Sequence, residues 1–212
     1  MNRVLLLTAL LLAPLPALAG VFEHPADAAE LARTLAPATS ALASAQSLHG
    51  RYRQTKQLAG LPAPLISEGE FLVARTLGIA WRTEKPFAAE LLITPDALVQ
   101  RSASGEQRID AAAQPAVRAI AAVFFAVFAL DFGTLSTMFE PYAVREGDGR
   151  WALGLLPRER LGAIESIEIR GDTSVTQVIL REQGGDSTRI DLTETRISTA
   201  LAESDRVRFE RR

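Results

Sequence analysis

Gly69-Glu70-Phe71-Leu72-Val73-Ala74-Arg75, followed two residues past a turn by Ile79 and Trp81, decides how this sequence folds. Apolar and polar positions alternate with a period of two. Phe71, Val73 and Arg75 therefore share one side of an extended chain, and Ile79 and Trp81 alternate with Ala80 and Arg82 in the next run. Upstream, Leu48, Gly50, Tyr52 and Gln54 alternate with His49, Arg51, Arg53 and Thr55, and Gly60-Leu61-Pro62 separates this run from Ile66 to Arg75. Downstream, Leu91 to Thr94 meets the turn Pro95-Asp96, and Ala97 to Arg101 returns. A second set begins at Tyr142 to Arg145, with Gly147-Asp148-Gly149 as a hairpin signal before Trp151 to Leu156. Ile164 to Ile169, Val175 to Arg181 and Ser187 to Leu192 complete it. Short runs punctuated by Gly, Pro and Asp predict an antiparallel meander, mainly β with some α, rather than alternating βαβ units.

Helices flank and interrupt the strands. Residues 25–46 read as helix, with Pro25 in the first turn, Asp27 and Glu30 at the positive end of the dipole, and Leu31 and Leu35 four apart. Pro37 is expected to break or kink it before a second, Ala-rich piece from Thr39 to Gln46. Residues 115–130 are apolar apart from Arg118, with twelve consecutive apolar residues from Ala119 to Leu130. A bilayer span needs about 20, so this helix is expected to cover something apolar. Leu135 to Phe139 adds a further turn of helix. Residues 196–212 carry little apolar periodicity and read as a partly ordered tail.

Composition narrows the function. The 212 residues include 23 Lys+Arg against 25 Asp+Glu, and the net charge of −2 argues against a nucleic-acid partner. No cysteine is present, so a disulfide, a thiolate nucleophile and a Cys-ligated metal are all excluded. Arg3, the apolar stretch Val4 to Leu12 and Ala17-Leu18-Ala19 before Gly20 are the parts of a secretory signal peptide, with cleavage expected after Ala19. Residues 1–19 are thus expected to be the export signal and 20–212 a single exported, monomeric domain.

The chemistry on offer is sparse. Gly185-Asp186-Ser187-Thr188 has the look of an esterase motif, but both histidines, His24 and His49, lie upstream of it, and a hairpin turn accounts for it better. Glu68 and Glu70 share a strand face, as expected of a solvated surface. An enzyme is not expected, and neither is a cofactor or a metal. What stands out is apolar: Phe71, Val73, Ile79, Trp81, Leu91 and Ile93 fall along one face of the sheet, with Phe124, Phe125 and Phe128 on the apolar helix. An ordinary sheet-on-helix core and a ligand cavity both accommodate this pattern. Arg75 is the exception on that face, because a guanidinium inside a core is costly unless it is hydrogen-bonded.

Three stretches together resemble the periplasmic lipoprotein carrier family, LolA. They are Ser47-Leu48-His49-Gly50-Arg51-Tyr52-Arg53-Gln54, then Gly69 to Arg75 with Ile79 and Trp81, then Leu153-Gly154-Leu155-Leu156-Pro157-Arg158. Their order and spacing hold over about residues 28–192. The chain departs from the family pattern at Thr76, where proline is usual, and at Val99 and Gln100, where aromatic residues are usual. The resemblance implies an unclosed, strongly curved antiparallel β-barrel with a helical lid over an apolar cavity. It implies cavity residues Phe71, Val73, Ile79, Trp81, Leu91, Ile93, Phe124, Phe125 and Phe128, with Arg75 as a latch that hydrogen-bonds the lid around Phe124 to Leu130. It further implies a periplasmic carrier of lipoprotein acyl chains that receives cargo from an inner-membrane transporter and passes it to an outer-membrane acceptor. Carriage of a non-protein lipid, such as a glycolipid or polyene-type precursor, is the alternative, and a periplasmic acyl hydrolase a weaker one.

Overall fold

The computed structural model describes residues 20–110, 123, 125–128 and 130–210. The expected signal peptide, residues 1–19, and Phe124 lie outside the described residues. Eleven strands form one antiparallel sheet: β1 (Ser47–Gln57), β2 (Leu65–Ala74), β3 (Gly78–Lys85), β4 (Ala89–Ile93), β5 (Ala97–Ser102), β6 (Gly105–Asp110), β7 (Phe139–Arg145), β8 (Trp151–Pro157), β9 (Ile164–Gly171), β10 (Val175–Glu182) and β11 (Ser187–Ser198). Their spatial order is β6-β5-β4-β3-β2-β1-β11-β10-β9-β8-β7. Two meanders are therefore joined where β1 meets β11, and β6 and β7 are the outer strands of an unclosed sheet. The expected mainly β, open antiparallel architecture is what forms. The sixth strand, Gly105–Asp110, was not foreseen, because its six residues carry one large apolar side chain, Ile109, and so no readable alternation.

Register explains why the apolar residues meet. Val73 lies opposite Leu48 and Ile79, and Ile79 opposite Ile93. Phe71 lies opposite Gly50 and Trp81, and Trp81 opposite Leu91. Gly50 is required there, since a Cβ would sit 2.5 Å from the Phe71 ring. The second meander continues the same face through Ile190, Val178, Ile169 and Leu153. On the opposite face the charges alternate from strand to strand: Arg51, Glu70, Arg82, Glu90, Arg101 and Glu106 are successive cross-strand neighbours. One face is thus apolar and the other carries this ladder of opposite charges beside a smaller apolar patch, which fixes register against a one-residue slip.

Helix α1 (Ala28–Leu42) is capped by Asp27, whose side chain accepts from the Glu30 amide at 2.8 Å. It runs through Pro37 as one helix, so of the break or kink expected from sequence the break does not occur. Burial of Leu31, Leu35, Ala38 and Leu42 against the core outweighs the one hydrogen bond that proline omits. A central helical segment containing Val123 and Phe125 to Phe128 fills the concave side, its Phe128 ring 5.7 Å from Phe71. The segment ends on Leu130, which adopts φ 51°. Two hydrogen bonds close that end, from the Leu130 amide to Val127 O and from the Asp131 amide to Ala126 O. A left-handed residue at this place is usually glycine; burial of the Leu130 side chain holds it here.

Helix α2 (Phe132–Met138) follows at once, with Asp131 accepting from the Thr134 amide. The C-terminal stretch is not a loose tail. β11 extends to Ser198, and helix α3 (Glu203–Glu210) lies on the outer face of the sheet. There Phe209 packs on Leu72, Ala80, Leu92, Ala97 and Val99, Arg208 reaches Glu90 at 3.2 Å, and Asp205 reaches His49 Nε2 at 3.0 Å. Each of those partners is more than a hundred residues away in sequence, which is why the local pattern gave no sign of the docking.

Candidate functional site

Among the described residues, the concave face gathers the largest set of apolar side chains. Trp81 is its centre. Its ring lies 4.0 Å from that of Tyr52 and 6.0 Å from that of Phe71. Tyr52 Oη shares a 2.6 Å hydrogen bond with Thr83 Oγ1, and burial pushes the phenol above its ordinary range. The hydroxyl is therefore a neutral, satisfied group within an apolar wall.

The central helical segment divides the concavity. On one side, a cavity of about 120 Å³ is lined by Trp81, Val127, Phe128, Ile167, Val178 and Leu180, among others, all of them apolar. Toward the Gln57 end of β1 lies a second space of about 270 Å³, where Trp81, Leu91 and Ile93 are joined by Gln54, Ser67, Thr83 and Gln100. Beyond the segment a third space, of about 260 Å³, is lined by Leu48, Val73, Phe125, Phe128 and Arg75. The expected residues Phe71, Val73, Ile79, Trp81, Leu91, Ile93, Phe125 and Phe128 all share this concave core. Leu161, Ile164, Ile167, Val178, Leu180 and Ile190, from the second meander, went unrecognised in the sequence. Only the β1–β11 pairing brings them opposite Trp81.

Arg75 needs correction. Its Nη2 donates to the Leu42 carbonyl at 2.8 Å, at the C-terminal end of α1, rather than to the helix around Phe124 to Leu130. Its amide donates to Gln46 O at 3.0 Å. The side chain is exposed rather than sunk in the apolar face, because the chain turns directly after Ala74. A guanidinium at a helix C-terminus complements the dipole, and here it gives the Leu42 carbonyl a second donor beside the Ala45 amide. Arg75 therefore ties the end of α1 to the β2–β3 turn, at the border of the compartment that also holds Phe125 and Phe128.

The polar residues weighed from sequence fall elsewhere. Glu70 faces Arg51 at 3.4 Å, and Glu68 pairs with Arg53 and with Lys85, all on the outer face. Asp186 accepts from the Ala59 amide at 2.9 Å in the β10–β11 turn. Ser187 lies opposite Gln57, and His49 lies eight residues earlier in β1. At about 3.3 Å per residue they are roughly 26 Å apart, too far for a serine and its base. Among the described residues no group of three His, Cys, Asp or Glu side chains is placed to hold a metal ion, and no helix is long and apolar enough to cross a membrane.

Comparison with known proteins places this geometry. A search of curated protein sequences found no match. Crystal structures with a related course include a LolA-superfamily protein from Nitrosomonas europaea, at 12% identity over 79% of this chain and 96% of that one, TM-score 0.41. A putative outer membrane lipoprotein-sorting protein domain from Vibrio parahaemolyticus aligns at 11% identity over 85% and 100%, TM-score 0.41. The lipoprotein LppX of Mycobacterium tuberculosis aligns at 8% identity over 83% and 99%, TM-score 0.46. The family described as outer membrane lipoprotein carrier protein LolA matches residues 43–205. That span runs from the end of α1 through every strand into α3, and over it the chain belongs to the LolA family.

Proposed function

We propose that this protein is an exported carrier that shelters acyl chains on its concave face between the inner and outer membranes, its cargo a lipoprotein or a related lipid. The wholly apolar cavity around Trp81, Val127 and Leu180 is the observation that carries this reading. A 16-carbon chain exposes about 15 methylenes at ~0.8 kcal/mol each, on the order of 12 kcal/mol in water. A preformed apolar concavity offsets most of that cost. The cavity is smaller than the ~150 Å³ that accommodates benzene, so an acyl chain enters by displacing the central helical segment and merging the compartments. The signal-like composition of residues 1–19 supports a periplasmic site for this work, with an inner-membrane transporter as donor and an outer-membrane acceptor as recipient. No bond is made or broken in such a role.

Titration of lipid-stripped protein with a fluorescent fatty acid is expected to saturate at about one ligand per chain and to quench Trp81, which borders two of the compartments. Trp81→Phe should remove most of the quenching, leaving Trp151, which is buried against Gly171, largely unaffected. A signal that never saturates would instead identify the concave face as an ordinary filled core. Mass spectrometry of lipid co-purifying with the protein then distinguishes a lipoprotein acyl group from a glycolipid or polyene.

Arg75 supplies a second test of the same reading. A charge-assisted hydrogen bond is worth about 1.5–3 kcal/mol when sheltered, and exposure of Arg75 reduces this to about 1 kcal/mol. Arg75→Leu leaves the Leu42 carbonyl with the Ala45 amide alone and loosens the end of α1 beside Phe125 and Phe128. Apparent fatty-acid affinity is expected to rise about fivefold, read by the same titration. Unchanged affinity would reduce Arg75 to a helix cap with no part in gating.

A further inference from the structure

One end of the sheet has an unusual surface. Of the five large apolar side chains that stand exposed among the described residues, Leu61, Leu65, Ile66 and Phe87 lie there, Phe87 being 82% exposed, and only Ile197, opposite Leu48, lies toward the other end. They belong to two neighbouring hairpins. Leu61, Leu65 and Ile66 sit in and just after the β1–β2 connection, and Phe87 is in the β3–β4 connection. Glu68 lies opposite Lys85, so continuing that register brings Phe87 level with Ile66. From Leu58 to Ser67 the sequence has no charged residue, and the β5–β6 tip at the same end, Ser102 to Gly105, has none either. The turns of the second meander at this end, 158–163 and 183–186, carry Arg158, Glu159, Arg160 and Asp186, so the charge-free stretch is confined to tips of the first meander.

Two further observations bear on what covers these tips. The chain has two lysines among its 23 basic residues, and both are at this rim. Lys56 lies opposite Leu65, and Lys85 stands two residues before Phe87 with its side chain 77% exposed. A lysine stem can lie along an apolar surface while its ammonium reaches outward to a phosphate. In addition, the tips flank the opening of the concave space bounded by Gln54, Ser67, Thr83 and Trp81. An apolar edge, free of charge along the β1–β2 connection and backed by lysines paired with Glu182 and Glu68, is suited to a lipid–water interface.

We propose that the β1–β2 and β3–β4 tips form a docking rim that inserts Phe87, Leu61 and Leu65 into the surface of a lipid bilayer, with Lys56 and Lys85 at headgroup level. Because the rim carries so little net charge, apolar transfer drives the contact and anionic lipid adds little to it. The rim also orients the concave opening toward the membrane. It is separate from acyl binding: a monomeric fatty acid in solution reports on the concave face, whereas vesicles report on the rim.

The absence of native cysteine makes a clean experiment available. Phe87→Cys and, at the opposite end, Thr173→Cys are each labelled with an environment-sensitive fluorophore and mixed with phosphatidylcholine vesicles, with and without phosphatidylglycerol. The label at position 87 is expected to shift to the blue and the label at 173 to stay unchanged, with similar partition into both vesicle types and little dependence on salt. The shift should persist when Leu180→Arg is added to block the concave cavity, which separates docking from lipid uptake. Unlabelled Phe87→Ser and Leu65→Ser are each expected to weaken co-sedimentation with vesicles about tenfold while leaving fatty-acid titration unchanged. No shift at position 87 and no co-sedimentation would overturn the proposal. A shift that follows protein concentration and ignores vesicles would overturn it in favour of a protein-binding rim.

Discussion

Leu180→Arg is expected to lower fatty-acid affinity about a hundredfold, the largest functional effect of any single change on the concave face. Leu180 lies opposite Ile167 and lines the apolar cavity with Val127 and Val178. It is only partly buried, so the empty protein can place a guanidinium there with its head turned toward water, and the fold survives. An acyl chain in the cavity removes that water, and leaving a charge without water or a partner costs several kcal/mol. About 2.7 kcal/mol is already a hundredfold. The measurement is the fluorescent fatty-acid titration, with circular dichroism to confirm that the sheet is intact. Undiminished binding would shift the site to the compartment bordered by Leu48, Val73 and Phe125, on the other side of the central segment.

Trp151→Ala is expected to have the largest effect on stability, about 3–5 kcal/mol. Its side chain is 1% exposed, and its Nε1 donates to the Asp172 carbonyl at 2.6 Å. The indole occupies the space over Gly171, where a Cβ would sit 2.5 Å from Cζ2. Truncation leaves a cavity at the β8–β9 pairing and an unpaired carbonyl in the β9–β10 turn. For a chain of this size the melting temperature is expected to fall roughly 10–15 °C, followed by circular dichroism. Trp151→Phe keeps most of the ring and loses the hydrogen bond, so about 1 kcal/mol is expected. Equal losses in the two variants would assign the effect to the hydrogen bond rather than to packing.

The rim and the concave face differ in how their sequence could be read. The Phe71–Val73–Ile79–Trp81 alternation is a local property, and a period of two leaves those side chains on one face whatever surrounds them. The charge-free run from Leu58 to Ser67 was equally plain in the sequence, but its meaning depended on exposure. An apolar loop tip reads the same whether it is buried under another element or open to solvent. Position in the folded chain alone makes Phe87 and Leu65 a surface feature.

By itself the sequence determined the strand periods, the turns at Gly60-Leu61-Pro62 and Pro95-Asp96, the hairpin at Gly147-Asp148-Gly149, the apolar helical segment ending near Asp131 and, through three ordered stretches, the resemblance to LolA. All of these depend on neighbours a few residues away. Tertiary structure alone decided that β1 pairs with β11, that helix α1 continues through Pro37, that Arg75 caps α1 at Leu42, and that α3 docks over the outer face through Phe209, Arg208 and Asp205. Each of these is a contact between distant parts of the chain, or a local preference overruled by one. Burial makes such a choice by comparing the whole folded arrangement with its alternatives, and no window of sequence contains both partners.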